Sequence, residues 1–140
     1  MRGLERGIPV LEATGLRVLE LDPGRARVCM PLEPNANHIG TFYAGSLYVL
    51  AEVTGAALYS GSFDSKRYYP IVKEIRLRYR RPATTDVSAE AGLSDAEIEA
   101  LRAEVDREGK ADHAWRCELQ DRDGQVVAVA DCVFQIRSRA

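Results

Sequence analysis

Residues 39–63 read IGTFYAGSLYVLAEVTGAALYSGSF, and Glu52 is the only charged side chain among them. Four glycines and five Ser or Thr residues interrupt this stretch, which argues against a membrane span. Its apolar residues lie on nearly every side of a helical projection, so the stretch predicts a buried helix over about residues 44–60. Such a helix needs a sheet wrapped over it, and that requirement decides the fold.

The segments on both sides of this helix show the alternation of half-buried strands. Before it, strands over 16–21 and 26–33 flank the turn formers Asp22-Pro23-Gly24. After it, residues 71–81 predict a strand, and residues 87–93 predict another short one. The first of these two strands places apolar side chains on one face and charged ones on the other: Ile71, Ile75, Leu77 and Tyr79 against Glu74, Arg76, Arg78 and Arg80.

A second helix follows the short strand. Ser94 and Glu97 have the spacing of a capping box, and Gly109 stands where a helix typically ends. The apolar residues between them keep helical spacing on one narrow stripe. The pattern predicts an amphipathic, mostly solvated helix over residues 94–108.

The chain ends in a predicted hairpin. Asp123-Gly124 indicates a two-residue turn between strands over 112–122 and 125–137. Pairing residue 122 with residue 125 sets the register, which brings Trp115 opposite Cys132 and Leu119 opposite Ala128. The predicted fold class is therefore α+β, an antiparallel sheet around a long central helix with an extra amphipathic helix before the C-terminal hairpin.

The composition predicts one globular domain over residues 1–140. The chain is 46% hydrophobic and 29% charged, with a formal net charge of -2, which argues against a nucleic-acid partner. No apolar run follows the basic residues near Met1, so we expect no secretory signal and a cytoplasmic protein.

The chain offers little for metal or disulfide chemistry. Its three cysteines, Cys29, Cys117 and Cys132, form no C-x-x-C pair, and His38 and His113 are its only histidines. We therefore expect reduced thiols, no metal site and no cofactor. We expect His113 to be a packing residue.

Glu52 needs an explanation, because an ionised carboxylate without a partner is costly to remove from water. One explanation is that it faces solvent or a partner subunit and pairs with an Arg or with backbone groups. The other is that it lines a narrow pocket, where a raised pKa suits it to act as general base or nucleophile. Its isolation alone favours neither.

The residues before the helix resemble the active-site stretch of the hotdog-fold acyl-CoA thioesterases. In the branch that includes the phenylacetate-pathway thioesterases, an Asn is followed after five residues by His-Gly-Gly. Six residues later comes an Asp or Glu that ends Leu-Ala-Asp/Glu. Asn37, Tyr43-Ala44-Gly45 and Leu50-Ala51-Glu52 keep this spacing. The resemblance covers roughly residues 11–137 and implies the hotdog fold.

The resemblance is closer to a less characterised branch of thioesterase domains, which carry Gly-Thr-x-x-x-Gly-Ser-Leu-Tyr at the helix start and an extra helix before the final hairpin. Residues 40–48 have this pattern. Tyr43 stands where the phenylacetate branch has His, and Ala44 stands where it has the first Gly. Because a backbone amide does not depend on its side chain, the amides of Ala44 and Gly45 can still polarise a thioester carbonyl.

The resemblance implies a mechanism and an assembly. The thioester carbonyl of an acyl-CoA or acyl-carrier-protein substrate would bind at the helix N-terminus, with Asn37 orienting the carbonyl or the water. Glu52 of the facing subunit would activate water or attack directly, which requires a homodimer or tetramer. Thr41 and Tyr43 would contact substrate, and Tyr43 would either fill the pocket or take over part of the hydrogen bonding.

Two explanations remain open for each of the other charged candidates. Arg76, Arg78 and Arg80 share one strand face and are candidates to hold the phosphates of CoA or of phosphopantetheine, or they belong to a solvated sheet face. Lys73 is predicted in register with the apolar face, where it either pairs with Glu52 or extends to water from the strand end.

Competing functions are a non-catalytic acyl-CoA-binding module, a hotdog dehydratase or hydratase, and a purely structural dimer. Two features predict the binding module. Tyr43 stands in place of the His, and the strand that reads Ile71-Val72-Lys73-Glu74 offers no evident hydroxyl or second acid. A dehydratase or hydratase would need a catalytic His near the same position.

Overall fold

A computed structural model of the protein describes residues 7–139. Four helices and six strands follow one another in this range. They are α1 (Pro9–Glu12), β1 (Arg17–Asp22), β2 (Arg25–Met30), α2 (Leu32–Asn35), α3 (Ala44–Ser62), β3 (Tyr68–Tyr79), β4 (Val87–Gly92), α4 (Asp95–Glu108), β5 (Lys110–Gln120) and β6 (Val126–Ser138). The short α2 is distorted, since Glu33 and Pro34 have non-helical dihedral angles.

The six strands form one antiparallel sheet in the order β1-β2-β4-β5-β6-β3, so β1 and β3 are its edges. The long helix α3 lies against the inner face of this sheet and packs on strands across its width. The other face, called the outer face below, carries the charged residues of each strand. This arrangement confirms the predicted α+β class and the sheet wrapped around a central helix.

Helix α3 is the centre of the core, because sheet residues surround most of its circumference. Leu50 and Leu58 are fully buried, and Tyr59 is 1% exposed. Gly55 allows the closest approach: a Cβ built on it would come within 2.3 Å of Trp115 Cζ2 and 2.6 Å of Phe134 Cζ. Gly55 therefore lets two aromatic side chains of the sheet pack directly on the helix.

The amphipathic helix α4 begins and ends as predicted. The Ser94 side chain accepts a hydrogen bond from the Glu97 amide, and the Glu97 side chain accepts one from the Ser94 amide. Gly109 ends the helix in the left-handed conformation, with φ of 86°. One stripe of α4 is buried, formed by Ile98, Leu101 and Val105.

The C-terminal hairpin has the predicted register but a different turn. Trp115 pairs with Cys132 and Leu119 with Ala128, as expected. The Asp121 amide donates to the Gln125 carbonyl at 2.9 Å, so residues 122–124 form a three-residue loop and the predicted two-residue turn is wrong. The observed loop is one residue longer than the predicted turn. A register shift between Leu119 and Gln120, where β6 carries one extra residue, compensates for this difference.

A second register shift, between Val72 and Glu74 of β3, changes two expectations. Ile71 pairs with Gln135, which faces outward, so Ile71 does not share the inner face with Ile75 as predicted. Lys73 is the extra residue of this bulge, and its Nζ lies 2.7 Å from Asp112 Oδ2. The predicted register of Lys73 with the apolar face is wrong, because a bulge inverts the alternation on one side of itself.

All three cysteines are free, and Cys117 and Cys132 are buried. Between residues 7 and 139 no helix combines the length and apolar character needed to cross a membrane.

Candidate active site

Two backbone amides are free at the start of α3. Tyr43 is the N-cap residue with extended dihedral angles, and its carbonyl accepts the amides of Ser46 and Leu47 at 3.0 and 3.2 Å. The amides of Ala44 and Gly45 donate to no group among residues 7–139. The first turn of any helix leaves such donors, and the helix dipole adds positive potential there. This pair of amides is therefore available to a carbonyl oxygen.

The ring of Tyr43 folds back over Gly45. A Cβ built on Gly45 would come within 2.7 Å of Tyr43 Cε2 and 3.2 Å of the Tyr43 hydroxyl oxygen. Tyr43 is 57% exposed, so nothing confines its ring on the solvent side. The Tyr43 ring thus lies over Gly45, one of the two residues of the predicted amide pair.

Three tyrosines lie near the start of α3, and we call them the tyrosine cluster: Tyr43, Tyr48 and Tyr79. Tyr48 is 43% exposed and Tyr79 49% exposed, so each presents a large part of its ring to solvent. Burial raises the pKa of Tyr79, and the neighbouring Tyr43 and Tyr48 add to the effect. Sequence reasoning missed Tyr79 as a site residue, although the alternation of β3 had placed it on the inner face.

Asn37 and Thr41 are tied into the loop that precedes the helix. Asn37 Oδ1 accepts the amides of Ile39 and Thr41 at 3.0 Å each, and Asn37 Nδ2 donates to Thr41 Oγ1 at 2.8 Å. Gly40 takes a positive φ of 82° between them. The acceptor oxygen of Asn37 is therefore used inside the loop, and its predicted contact with substrate or water depends on the remaining Nδ2 hydrogen.

Glu52 is half-buried in α3. No hydrogen bond and no ion pair joins its carboxylate to any other part of the described chain. Burial raises its pKa, and this is the one cause of the shift. The Arg or backbone partner of the first sequence-based explanation is thus absent from residues 7–139, and Lys73 pairs with Asp112 instead.

Glu52 lies on a stripe of α3 that the sheet leaves uncovered. The members of this stripe are spaced three or four residues apart along one side of the helix: Gly45, Tyr48, Val49, Glu52, Ala56 and Ser60. Seven residues separate Glu52 from Gly45, which is about 10 Å along a helix axis. The carboxylate and the amide pair of one chain are therefore too far apart to act on the same carbonyl group.

The three arginines share a face as predicted, but that face is the outer one. In the β3–β6 ladder, Arg76 is opposite Asp131 and Arg78 is opposite Val129. Both β6 residues point away from α3. Arg80 follows the end of β3 and is exposed. None of the three forms an ion pair within residues 7–139. In a single chain the sheet separates Arg76 and Arg78 from Glu52.

His113 connects a buried tyrosine to a surface carboxylate. Its Nδ1 lies 2.6 Å from the Tyr59 hydroxyl, and its Nε2 lies 3.1 Å from Glu97 Oε2. His113 therefore packs between α3 and α4, in agreement with the packing role predicted for it. Across residues 7–139, no three His, Cys, Asp or Glu side chains are grouped so as to hold a metal ion.

Comparisons with known proteins agree with this architecture. The family model of a domain of unknown function, DUF4442, matches residues 1–136. A crystal structure of PA5026 from Pseudomonas aeruginosa, described as a protein of unknown function and probable thioesterase, is 45% identical. The alignment covers 99% of this chain and 93% of that one, with a TM-score of 0.94. A search among curated proteins found no match.

Two more distant structures bear on the fold alone. The thioesterase PA1618 of Pseudomonas aeruginosa, solved as a mutant, is 19% identical with a TM-score of 0.76, over 98% of this chain and 93% of that one. The thioesterase HI1161 of Haemophilus influenzae is 14% identical with a TM-score of 0.73, over 92% and 82%. The fold is the hotdog type of these thioesterases, as the resemblance implied.

Proposed function

Since the chain belongs to the DUF4442 family, we propose from its site that it hydrolyses an acyl thioester, of either acyl-CoA or acyl-carrier protein. The observation that carries this proposal is the half-buried carboxylate of Glu52, which has a raised pKa and no partner in the described chain. The thioesterase description of the 45% identical structure supports the same reaction class.

The amides of Ala44 and Gly45 take the role of oxyanion donors. Negative charge develops on the carbonyl oxygen when the thioester carbon becomes tetrahedral, and donors already in place stabilise it without reorganisation. Loss of one such donor typically costs about 3–4 kcal/mol of transition-state stabilisation. Thr41 and Tyr43 contact the substrate beside these amides, and Asn37 orients the carbonyl or the water with its remaining Nδ2 hydrogen.

Glu52 supplies the base. In one route it takes a proton from water while the oxygen attacks the carbonyl carbon, and the tetrahedral intermediate then expels the thiolate, which recovers the proton. In the other route the carboxylate attacks directly and water hydrolyses the resulting anhydride. Both routes release one carboxylic acid and one thiol, and the raised pKa suits Glu52 to proton transfer.

The site is completed by a second copy of the chain. About 10 Å of helix separates Glu52 from Gly45, so a carbonyl at the amides of one chain must receive its carboxylate from another. The edge strand β3 packs against α3, and the uncovered stripe of α3 and the unpaired edge of β3 both offer a surface to a second copy. We therefore assign the activity to a homodimer or a tetramer of such dimers.

Arg76, Arg78 and Arg80 are the candidate contacts for the anionic part of the thiol carrier. Their guanidinium groups are exposed and have no ion pair among residues 7–139. They lie on the outer face, so the carrier would pass around the free edge of β3 to reach them from the thioester.

Thiol release from short, medium, long and aromatic acyl-CoAs tests the proposal. Glu52→Gln and Glu52→Ala are each expected to lower kcat/KM by about 100-fold or more if general-base help is lost. Glu104→Gln, at a half-buried glutamate of α4 outside the site, is the matched control and should keep wild-type activity. Release that is absent, or that Glu52→Gln leaves unchanged in folded protein, contradicts the mechanism.

A non-catalytic acyl-CoA-binding module is the second candidate. It is favoured by one observation, the Tyr43 ring that lies over Gly45 where a hydrolase needs open access to the amides. Acyl-CoA binding without thiol release, unchanged by Glu52→Gln, would support this candidate against the hydrolase.

A further inference from the structure

A small cavity of about 50 Å³ lies between the C-terminal end of α3 and the start of the edge strand β3. We call it the end cavity. Pro70 of β3 and Ile136 of β6, which lie opposite each other in the sheet, both line it. Ile136 is 1% exposed and belongs to the core, so the end cavity lies on the inner face, on the same side of the sheet as Glu52. It is also lined by residues of α3, its C-cap and β3: Tyr59, Ser60, Phe63 and Tyr68.

Three aromatic rings form a rigid wall of the end cavity. The ring of Phe63 stacks on that of Tyr59 with centroids 6.4 Å apart, and it meets the ring of Tyr68 edge-on at 6.1 Å. All three side chains are at most 5% exposed. Rings that are packed this closely in the core keep their places, so the cavity exists before any ligand enters.

The polar groups of this wall are already used. The Tyr59 hydroxyl lies 2.6 Å from His113 Nδ1, and the Tyr68 hydroxyl donates to Asp106 Oδ1 at 2.6 Å. Arg139, which also lines the cavity, is exposed and donates from Nε to a backbone carbonyl at 2.8 Å. The rings therefore offer carbon atoms to the cavity. A ligand without polar groups fits it, because a polar ligand would lose its hydrogen bonds to water there.

The end cavity is in line with Glu52 along α3. Ser60 lines the cavity and is also the last member of the uncovered stripe that includes Glu52 and Ala56. No side chain of residues 53–63 is charged. Glu52 and Ser60 are eight residues apart, which is about 12 Å along the helix axis. A hydrocarbon chain that starts at a carbonyl beside Glu52 can therefore follow the helix past Ala56 and end in the cavity.

The distance from Glu52 and the size of the cavity select a linear chain of medium length. An extended chain of single bonds advances about 1.2 Å per bond, as in an extended backbone, where three bonds span about 3.3–3.6 Å. About ten bonds therefore separate the carbonyl carbon from the end cavity. A cavity that binds benzene has a volume of about 150 Å³, so this one, at about 50 Å³, holds the last few carbons of a chain and not a ring.

A larger cleft does not suit a hydrocarbon chain. It has a volume of about 790 Å³, lies on the outer face and is lined by charged side chains, Arg25, Arg27, Arg116 and Glu90 among them. The sheet separates this cleft from Glu52, so the acyl end of a substrate held at Glu52 does not reach it.

We propose that the end cavity binds the terminal carbons of a linear fatty acyl group whose thioester lies at Glu52 of the same chain, and that Ala56 and Ser60 determine the acyl length. About ten bonds lead to the cavity and a few carbons fill it, so the preferred acyl group has about 12 carbons. This inference rests on the proposed function for the thioester at Glu52. It deepens that function by naming the substrate class, medium-chain fatty acyl thioesters, and two specificity-determining residues.

A chain-length series measures the distance from Glu52 to the end cavity. kcat/KM is determined for butanoyl-, octanoyl-, dodecanoyl-, hexadecanoyl- and benzoyl-CoA, each below its micelle concentration, and is expected to be highest for dodecanoyl-CoA. Ser60→Leu places a larger side chain at the cavity, so the ratio of kcat/KM for dodecanoyl-CoA over butanoyl-CoA should fall about tenfold or more. Each methylene that the new side chain displaces costs about fourfold.

Ala56→Leu is a second, independent obstacle on the same path. Ala56 lies about 6 Å beyond Glu52, which corresponds to about five bonds, so this variant should prefer butanoyl-CoA to octanoyl-CoA. Ala100→Leu, at an exposed alanine of α4, is the matched control and should keep the wild-type order. Leu is favoured in helices, and circular dichroism and gel filtration check that each variant keeps its fold and assembly. Should a variant fail this check, the wild-type series still tests the inference.

Binding of S-alkyl-CoA thioethers tests the end cavity without hydrolysis, since these analogues have no thioester bond to break. S-dodecyl-CoA is expected to bind the wild type at least about tenfold more tightly than S-butyl-CoA, because more methylenes leave water. Ser60→Leu should reduce this difference.

Three results would overturn the inference. They are a wild-type kcat/KM that is highest for butanoyl-CoA or benzoyl-CoA, a chain-length order that both folded Leu variants of α3 leave unchanged, and equal affinities of the wild type for the two thioethers. Failure of the proposed function is a different result. Thioether binding that depends on chain length, without thiol release from any acyl-CoA, refutes the hydrolase alone. Thiol release that is indifferent to chain length refutes the end cavity alone.

Discussion

The hydroxyl of Tyr79 donates a hydrogen bond of 3.0 Å to the carbonyl oxygen of Ala44. This bond joins the last residue of the edge strand β3 to the first residue of the central helix α3. The amide of Gly45 belongs to the same peptide unit as the Ala44 carbonyl, so the bond fixes the direction in which that amide points. Tyr79 is therefore a positioning residue for the proposed oxyanion donors.

Tyr79→Phe keeps the ring and removes this bond. We expect kcat for thioester hydrolysis to fall by about three- to tenfold, while stability falls by no more than about 1 kcal/mol, since the bond is half exposed and neutral. KM should change little, because the ring surface remains. Tyr69→Phe is the control for losing a tyrosine hydroxyl outside the tyrosine cluster. An unchanged kcat, or a fall that follows thermal stability, would show that Tyr79 has no role beyond packing.

Gly45→Ala is expected to displace the Tyr43 ring rather than the helix. The new methyl group would meet the far end of an exposed side chain at 2.7 Å, and Ala is favoured over Gly within a helix. We expect unchanged or higher thermal stability and an altered KM. In a Tyr43→Ala background the same substitution should change KM much less. A double-mutant cycle on KM measures this coupling. Additive effects on KM would mean that the two residues do not interact in solution.

Glu52→Gln is expected to stabilise the fold in a pH-dependent way. Burial raises the pKa of Glu52, so the folded chain holds this proton more tightly than the unfolded chain does. Below the unfolded-state pKa the group costs nothing, and as pH rises through the folded-state pKa the ionised group lowers stability. Urea unfolding between about pH 4 and about pH 7 should show a widening advantage for the Gln variant. A constant difference would mean that Glu52 finds a partner in solution.

Gly55→Ala tests the close approach of the sheet to the central helix. The methyl group would lie 2.3 Å from Trp115 and 2.6 Å from Phe134, two rings held in the core, so a loss of about 1–3 kcal/mol is expected. Gly61→Ala, in the same helix, meets only the half-buried Leu21 side chain at 2.7 Å and should cost less. Chemical denaturation of both variants measures the difference. Equal costs would show that the two buried rings resist the methyl group no more than the Leu21 side chain does.

The elements were predictable from sequence where a single local signal determines them. The run of residues 39–63, with Glu52 as its one charge, predicted α3. The capping box and Gly109 predicted α4. The pairing of Trp115 with Cys132 was correct although the turn was not, because the apolar alternation of two long strands sets the register and a bulge absorbs the difference. Apolar alternation is therefore the more reliable signal.

Features that depend on one extra residue or on tertiary contacts were not predictable. The bulge at Lys73 turned Ile71 outward, and alternation alone cannot reveal a bulge in advance. The use of Asn37 inside its own loop depends on the conformation of residues 37–41, in which Gly40 has a positive φ. Tyr79 becomes a site residue only because the edge strand ends beside the start of α3.

Mixing two inactive variants tests whether Glu52 and the amide pair act across a subunit interface. Glu52→Gln removes the base, and Gly45→Pro removes one amide in the first helical turn, where Pro is tolerated. If each site takes its amides from one chain and its carboxylate from the other, a mixed dimer has one intact and one doubly defective site. After joint unfolding and refolding in equal amounts, about a quarter of wild-type thiol release should return, because half of the two-fold dimers are mixed. A mixture that stays inactive would instead require Glu52 to serve the amides of its own chain, although about 10 Å of helix separates them.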